Sequence, residues 1–266
     1  MKLFFRSYGE GPPLIILHGL YGSSDNWVTI AKKISRRFTV YLPDLRNHGH
    51  SPHNEIHDYN ALSSDIFELA NDLELNKFFL AGHSMGGKAA VFFAVRWPEM
   101  IEGLLIVDIS PFTPQNIRST EYYQHQTILK TVLETNISKA ASRNEVELIL
   151  AEKIPSVKIR GLIMKNLQRM PDNRFEWKIN ASSLLNNLEK IMEGLPGPPE
   201  NYSPVTGFPV LFLKGERSDY LPEKDFHDIL TIFPPAEFRI IKNAGHWINS
   251  DNPEEVSESL LSLLDN

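Results

Sequence analysis

The sequence predicts an α/β fold, a mostly parallel central sheet flanked by helices and interrupted by one inserted helical segment. Three observations carry this. Short apolar runs bounded by Gly, Pro or Asp recur along the chain, segments with apolar residues at three-to-four spacing lie between most of them, and one long interval has helical patterning without a strand.

The runs Leu14 to Leu17, Thr39 to Leu42, Phe78 to Ala81, Leu104 to Val107, Val210 to Leu213 and Phe238 to Ile241 are near-continuous rather than alternating. That is the pattern of strands covered on both faces. Helical spacing marks Trp27 to Arg36, Ala61 to Leu73, Gly87 to Arg96, Glu223 to Ile232 and Pro253 to Leu264. The last opens at Asn252-Pro253 with Glu254 and Glu255 in its first turn, an N-terminal signature. In the interval 112–205, Ile159, Ile163, Leu167 and Met170 fall on one predicted helical face, and Leu184, Leu188, Ile191 and Met192 on another. A stiff linker, Gly194 to Pro199, leads back to the sheet. The expected organisation is a core of residues 1–111 and 206–266 with a helical cap over residues 112–205.

A chain of 266 residues can bury one full core with an insertion. Its 27 basic and 33 acidic residues give a net charge of −6, with no basic run of five, which argues against nucleic acid or an anionic membrane as the main partner. Cysteine is absent, so disulfides, thiolate nucleophiles and zinc–thiolate sites drop out. The run Leu3-Phe4-Phe5 ends at Arg6, too short for a signal-peptide core or a membrane span, and the expected location is cytoplasmic.

The chemistry concentrates at Gly82-His83-Ser84-Met85-Gly86-Gly87, between a predicted strand and a predicted helix. Small residues around Ser84 allow a turn sharp enough to expose a serine hydroxyl as a nucleophile. Context raises this above an accidental turn: His18-Gly19 closes an upstream strand, acids follow two later strands, and Asn243-Ala244-Gly245-His246 lies near the C-terminus. Open parallel sheets collect ligands at the carboxyl ends of their strands, where His18, Asp44, Ser84, Asp108, Asp219 and His246 all fall. A serine hydroxyl attacks a carbonyl poorly without a base, and a neutral imidazole at His246 is the candidate. Two acids, Asp108 and Asp219, stand where a third member belongs. Backbone N–H groups of Leu20 and Met85 are the candidate oxyanion donors, Met85 because the first turn of a helix leaves its amide free.

The order nucleophile, acid, histidine, with the turn at Ser84 and the helical insertion, resembles the α/β-hydrolase superfamily over essentially the whole chain. More narrowly, it is similar to YbfF-type bacterial esterases, related to ABHD11-type hydrolases. Leu17 to Trp27, Asp44 to Ser51, Gly82 to Lys88, Val107 to Pro111 and Ala244 to Trp247 carry the narrower likeness. The superfamily's commonest acid position matches Asp219, whereas the esterase group implies Asp108. The resemblance implies hydrolysis of carboxylic and thioester acyl groups.

The expectation is a cofactor-free serine esterase or thioesterase acting on small acyl esters or acyl-CoA thioesters, with catalytic Ser84, His246 and Asp108, and Asp219 as the alternative acid. Ser84 excludes the dehalogenases and epoxide hydrolases of this fold, which use aspartate there. Carbon–carbon bond hydrolases, cofactor-free haloperoxidases and non-catalytic ligand receptors stay open. His48-Gly49-His50-Ser51-Pro52-His53, with His57-Asp58 nearby, suggests a zinc box, but Pro52 stands where an aspartate is needed. No metal is expected, and these histidines are read as loop residues near the site mouth. His18, His83, His125 and His227 are given no catalytic role. Trp27, Phe112, Trp177 and Trp247 are candidates to line an acyl pocket.

Overall fold

A computed structural model describes residues 1–265. Its seven-stranded sheet comprises β1 (Phe5–Tyr8), β2 (Pro13–Leu17), β3 (Thr39–Pro43), β4 (Phe78–His83), β5 (Ile101–Val107), β8 (Val210–Gly215) and β9 (Ala236–Ile241), in the order β1-β3-β2-β4-β5-β8-β9. A separate hairpin pairs β6 (Leu167–Arg169) with β7 (Phe175–Trp177). All six predicted strands are present, each longer by one to three residues. The sequence reading missed β1, an antiparallel edge pairing Phe5 with Pro43 and Tyr8 with Val40. Its exposed and half-buried alternation lacks the continuous apolar run that marks an interior strand.

The helices are α1 (Val28–Ile34), α2 (Tyr59–Asp72), α3 (Met85–Arg96), α4 (Thr120–Glu134), α5 (Arg143–Ala151), α6 (Val157–Met164), α7 (Ala181–Asn186), α8 (Leu188–Met192), α9 (Phe226–Ile232), α10 (Ile248–Asp251) and α11 (Pro253–Ser262). The predicted start of α11 holds: Asn252 Oδ1 accepts the Glu255 N–H at 3.2 Å, satisfying one amide of the first turn.

Side-chain alternation along each strand sorts the core into two layers. Leu14, Ile16, Ala81, Leu105, Val107 and Leu213 face α1 and α11. Ile15, Leu17, Leu80, Leu104, Ile106 and Phe212 share a second cluster with α2 and α3. Both faces are therefore covered, which accounts for the unbroken apolar runs.

Between β5 and β8 the chain forms α4 to α8 and the small hairpin. The hairpin corrects the expectation of an interval without strands. Asp172 and Asn173 turn the chain, with Asn173 at φ 67°, a left-handed conformation that asparagine tolerates. Helix α6 thus ends before Leu167, and Leu167 and Met170 do not continue its face. Apolar spacing alone does not reveal where such a turn cuts a periodic pattern. Likewise Asn187 separates α7 from α8, although Leu184, Leu188 and Ile191 remain buried. The two connections of this interval meet: Phe112 bridges to Leu195, whose N–H donates to Pro111 O at 2.7 Å. Among the described residues, no helix is long and apolar enough to cross a membrane.

Candidate active site

Parallel register brings distant segments to one sheet edge. His83 is level with Val107, and Val107 with Leu213. The residues that follow each strand, Ser84, Asp108 and the turn after Gly215, emerge side by side. Ser84 N–H donates to Val107 O at 3.1 Å, and Asp108 N–H to Leu213 O at 2.8 Å. The loop after β9 joins them when Arg217 N–H donates to Ala244 O at 3.0 Å.

Ser84 occupies φ 54° and ψ −122°, a conformation few side-chain-bearing residues adopt. Tyr21, Asp108 and Asn243 also have positive φ, at 64°, 53° and 57°. Strain of about 1–3 kcal/mol per such residue persists only where the surroundings enforce it. Here the enforcement is close packing at the turn. A Cβ on Gly82 would lie 2.2 Å from Gly86 O, and one on Gly86 would lie 2.5 Å from His18 O. Both obstacles are backbone atoms, so neither position has room for a side chain. Gly86→Ala is expected to destabilise the fold by about 2–3 kcal/mol, read as a lower denaturant midpoint at unchanged slope.

His246 Nε2 lies 3.0 Å from Ser84 Oγ, and its Nδ1 lies 2.8 Å from Asp108 Oδ2. An ionised carboxylate only accepts, so Nδ1–H donates to Asp108 and Nε2 is left as the acceptor facing the serine hydroxyl. Asp108 is fully buried. Its Oδ1 accepts from Gly215 N–H at 2.8 Å, and its Oδ2 accepts from the Ser218 hydroxyl as well as from His246. The other candidate acid, Asp219, is exposed on the wall of the cleft and makes no bond to His246. The structure thus brings Ser84, His246 and Asp108 together and leaves Asp219 apart.

Three groups around His246 escaped the sequence reading. Ser218 donates to Asp108 from the turn where Asp219 drew attention. His83 Nε2–H donates to the His246 carbonyl at 2.7 Å, and burial holds its imidazole down at about 3, in the neutral form. The Tyr220 ring stacks on the His246 ring at 3.7 Å between centroids. Each contact crosses between loops remote in sequence, so no local pattern signals it.

Met85 begins α3, where its N–H has no intrahelical acceptor, and Leu20 lines the same cleft. The loop at Leu20 is held through its neighbour Tyr21. Tyr21 N–H donates to His48 Nε2 at 3.2 Å, its carbonyl accepts from Asn166 Nδ2 at 2.8 Å, and its hydroxyl meets His125 Nδ1 at 3.0 Å. His125 is half-buried, and desolvation pushes its imidazole down to about 4.

The histidine-rich segment needs a correction. His48 and His57 lie inside the protein, not at the site mouth, while His50 and His53 do stay at the surface. Burial lowers the imidazoles of His18 and His48, and that of His57 to about 3. His18 Nε2 accepts from Leu45 N–H at 2.9 Å, and His48 Nδ1–H donates to Arg46 O at 2.9 Å. The His18 and His48 rings bind backbone, His57 meets the Asn47 and Met85 side chains, and no group of three metal-ligating side chains converges among the described residues.

The cleft that opens over Ser84 has a volume of about 780 Å³. Trp27, Phe112 and Trp247 line it, but Trp177, in β7, does not. Such an apolar cleft with a serine, a histidine and a buried carboxylate aligned at its floor suits acyl transfer to a hydroxyl.

Comparison with known proteins agrees with this geometry. The chain is 35% identical over 263 residues to the sn-1-specific diacylglycerol lipase ABHD11 of Danio rerio, covering 98% of this chain and 80% of that protein. It is 28% identical over 252 residues to Esterase YbfF of Escherichia coli strain K12, covering 95% and 92%. A solved structure, Marine microorganism esterase, superposes at a TM-score of 0.93 with 40% identity, covering 98% of this chain and 99% of that one. Residues 14–259 match the Alpha/beta hydrolase family. The chain belongs to that family and is a hydrolase of the esterase and lipase type.

Proposed function

We propose that the protein is a serine carboxylesterase or thioesterase that cleaves small acyl esters or acyl-CoA thioesters through an acyl-enzyme on Ser84. The observation that carries this reading is the hydrogen-bonded array running from Ser84 Oγ through His246 to Asp108. In the first half-reaction Ser84 Oγ attacks the carbonyl carbon and His246 Nε2 takes its proton. The resulting oxyanion is held by the Leu20 and Met85 amides, each donor contributing about 3 kcal/mol. The intermediate then expels the alcohol or thiol, which takes the proton back from His246. A water molecule repeats the sequence: His246 removes its proton, the hydroxyl adds to the acyl carbon, and the carboxylic acid leaves as Ser84 regains its hydrogen.

Asp108 holds the His246 tautomer and stabilises the imidazolium formed in each step. Residues 112–205 form a cap that walls the cleft with side chains such as Phe112, Ile128 and Met192. The names of the relatives, a diacylglycerol lipase and an esterase, describe acyl-ester cleavage and support the same chemistry here.

A series of ethyl esters and matching CoA thioesters, from acetyl to decanoyl, tests the reading. Quenched reactions are expected to contain protein heavier by the acyl mass, with the added mass on the peptide carrying Ser84. Turnover without any acylated Ser84 peptide, for oxygen esters and thioesters alike, would overturn it.

A further inference from the structure

Lys88 is a buried amine with no carboxylate partner among the described residues. It lies one turn beyond Ser84 on α3, is 5% exposed and lines the cleft. Its Nζ donates to Met192 O at 2.9 Å and to Glu193 O at 2.6 Å, and it stands 5.9 Å from the centre of the Tyr59 ring. Tyr59 is committed elsewhere, its hydroxyl donating to Ile191 O at 2.6 Å. No carboxylate pairs with Lys88 among the described residues, and Glu193 acts on it only at longer range. Buried lysines are almost always paired, because an isolated charge removed from water is costly. The ammonium has three N–H bonds, and two are spent on carbonyls at the end of α8.

We infer that Lys88 forms a carboxylate subsite, and that the preferred acyl group ends in a carboxylate, as in a half-ester of a short dicarboxylic acid. The inference rests on Ser84 as the acyl acceptor, which places the acyl group in the cleft that Lys88 also lines. Half-esters of four- to six-carbon diacids sample the reach from the serine oxygen to the lysine nitrogen across that cleft. An incoming carboxylate would meet the remaining N–H, supply the missing charge and form a charge-assisted bond in a site shielded from water. The ammonium also fits that role energetically: burial pulls it down to about 7, and an anion beside it would favour the protonated form.

The test compares monoethyl glutarate with its neutral isostere, ethyl 4-carbamoylbutanoate, by ethanol release. Monoethyl succinate and monoethyl adipate, each against its own amide, probe length. Wild type is expected to favour at least one half-ester over its amide by tenfold or more in kcat/KM. Lys88→Met is expected to remove that preference, and Lys88→Arg to keep part of it. Equal treatment of charged and neutral esters by wild type, or a preference untouched in Lys88→Met, would overturn the inference. Because Lys88 also holds the end of α8, a second measurement needs no variant. Glutarate is expected to inhibit ethyl butanoate hydrolysis by the wild-type protein at least tenfold more strongly than glutaramate, and equal inhibition counts against the subsite. Ethyl butanoate hydrolysis that depends on Ser84 but shows no charge preference defeats the subsite alone. Absence of any Ser84-dependent hydrolysis defeats the proposed function and the subsite with it.

Discussion

Ser84→Ala is expected to lower kcat for any ester substrate by about 10⁵- to 10⁶-fold, the loss seen when the nucleophile of such an array is removed. The size of the effect follows from the division of labour. In the proposed mechanism no acyl-enzyme forms without the hydroxyl, and His246 has nothing to deprotonate in the first step. Alanine keeps the Cβ that the turn already accommodates, so the strained φ of 54° and the packing of Gly82 against Gly86 persist. The melting temperature should therefore stay close to wild type while labelling by a fluorophosphonate disappears. Turnover retained within tenfold of wild type, in a variant that melts normally, would remove Ser84 from the mechanism.

The second large effect separates two acids. Asp108→Asn is expected to reduce kcat by about 10⁴-fold. Asparagine nearly matches the shape of aspartate but presents an N–H where His246 needs an acceptor. The imidazole then shifts its proton to Nε2, the atom that must accept from Ser84. Asp219→Asn is expected to change kcat by less than about threefold, because that carboxylate is exposed and makes no bond to His246. Comparing the two variants on one substrate decides the assignment. Equal losses in both would leave neither as the partner of His246, and a larger loss in Asp219→Asn would reverse the roles.

How much of this was legible in advance varies from element to element. The five interior strands were readable because burial on both faces leaves little room for polar residues, so each appears as an apolar run, and the second edge, β9, was readable from Phe238, Ile240 and Ile241 despite Arg239. The turn at Ser84 was readable because its geometry demands glycine at fixed positions. Edge strand β1 and hairpin β6–β7 were not, since an edge needs fewer apolar residues and a hairpin is decided by two turn residues. The histidines of the 48–57 segment misled because a ring buried against backbone donors and a ring facing solvent leave the same letters in the chain.

The amino-acid order by itself determined the architecture, the exposed serine and its histidine, because propensity, burial pattern and glycine sterics act over short stretches of chain. Which acid reaches His246, the support from Ser218, His83 and Tyr220, and the burial of Lys88 under α8 without a carboxylate partner were decided only by tertiary structure. Those are contacts between segments tens to more than a hundred residues apart, and their geometry comes from strand register and loop packing, which no local window of sequence contains.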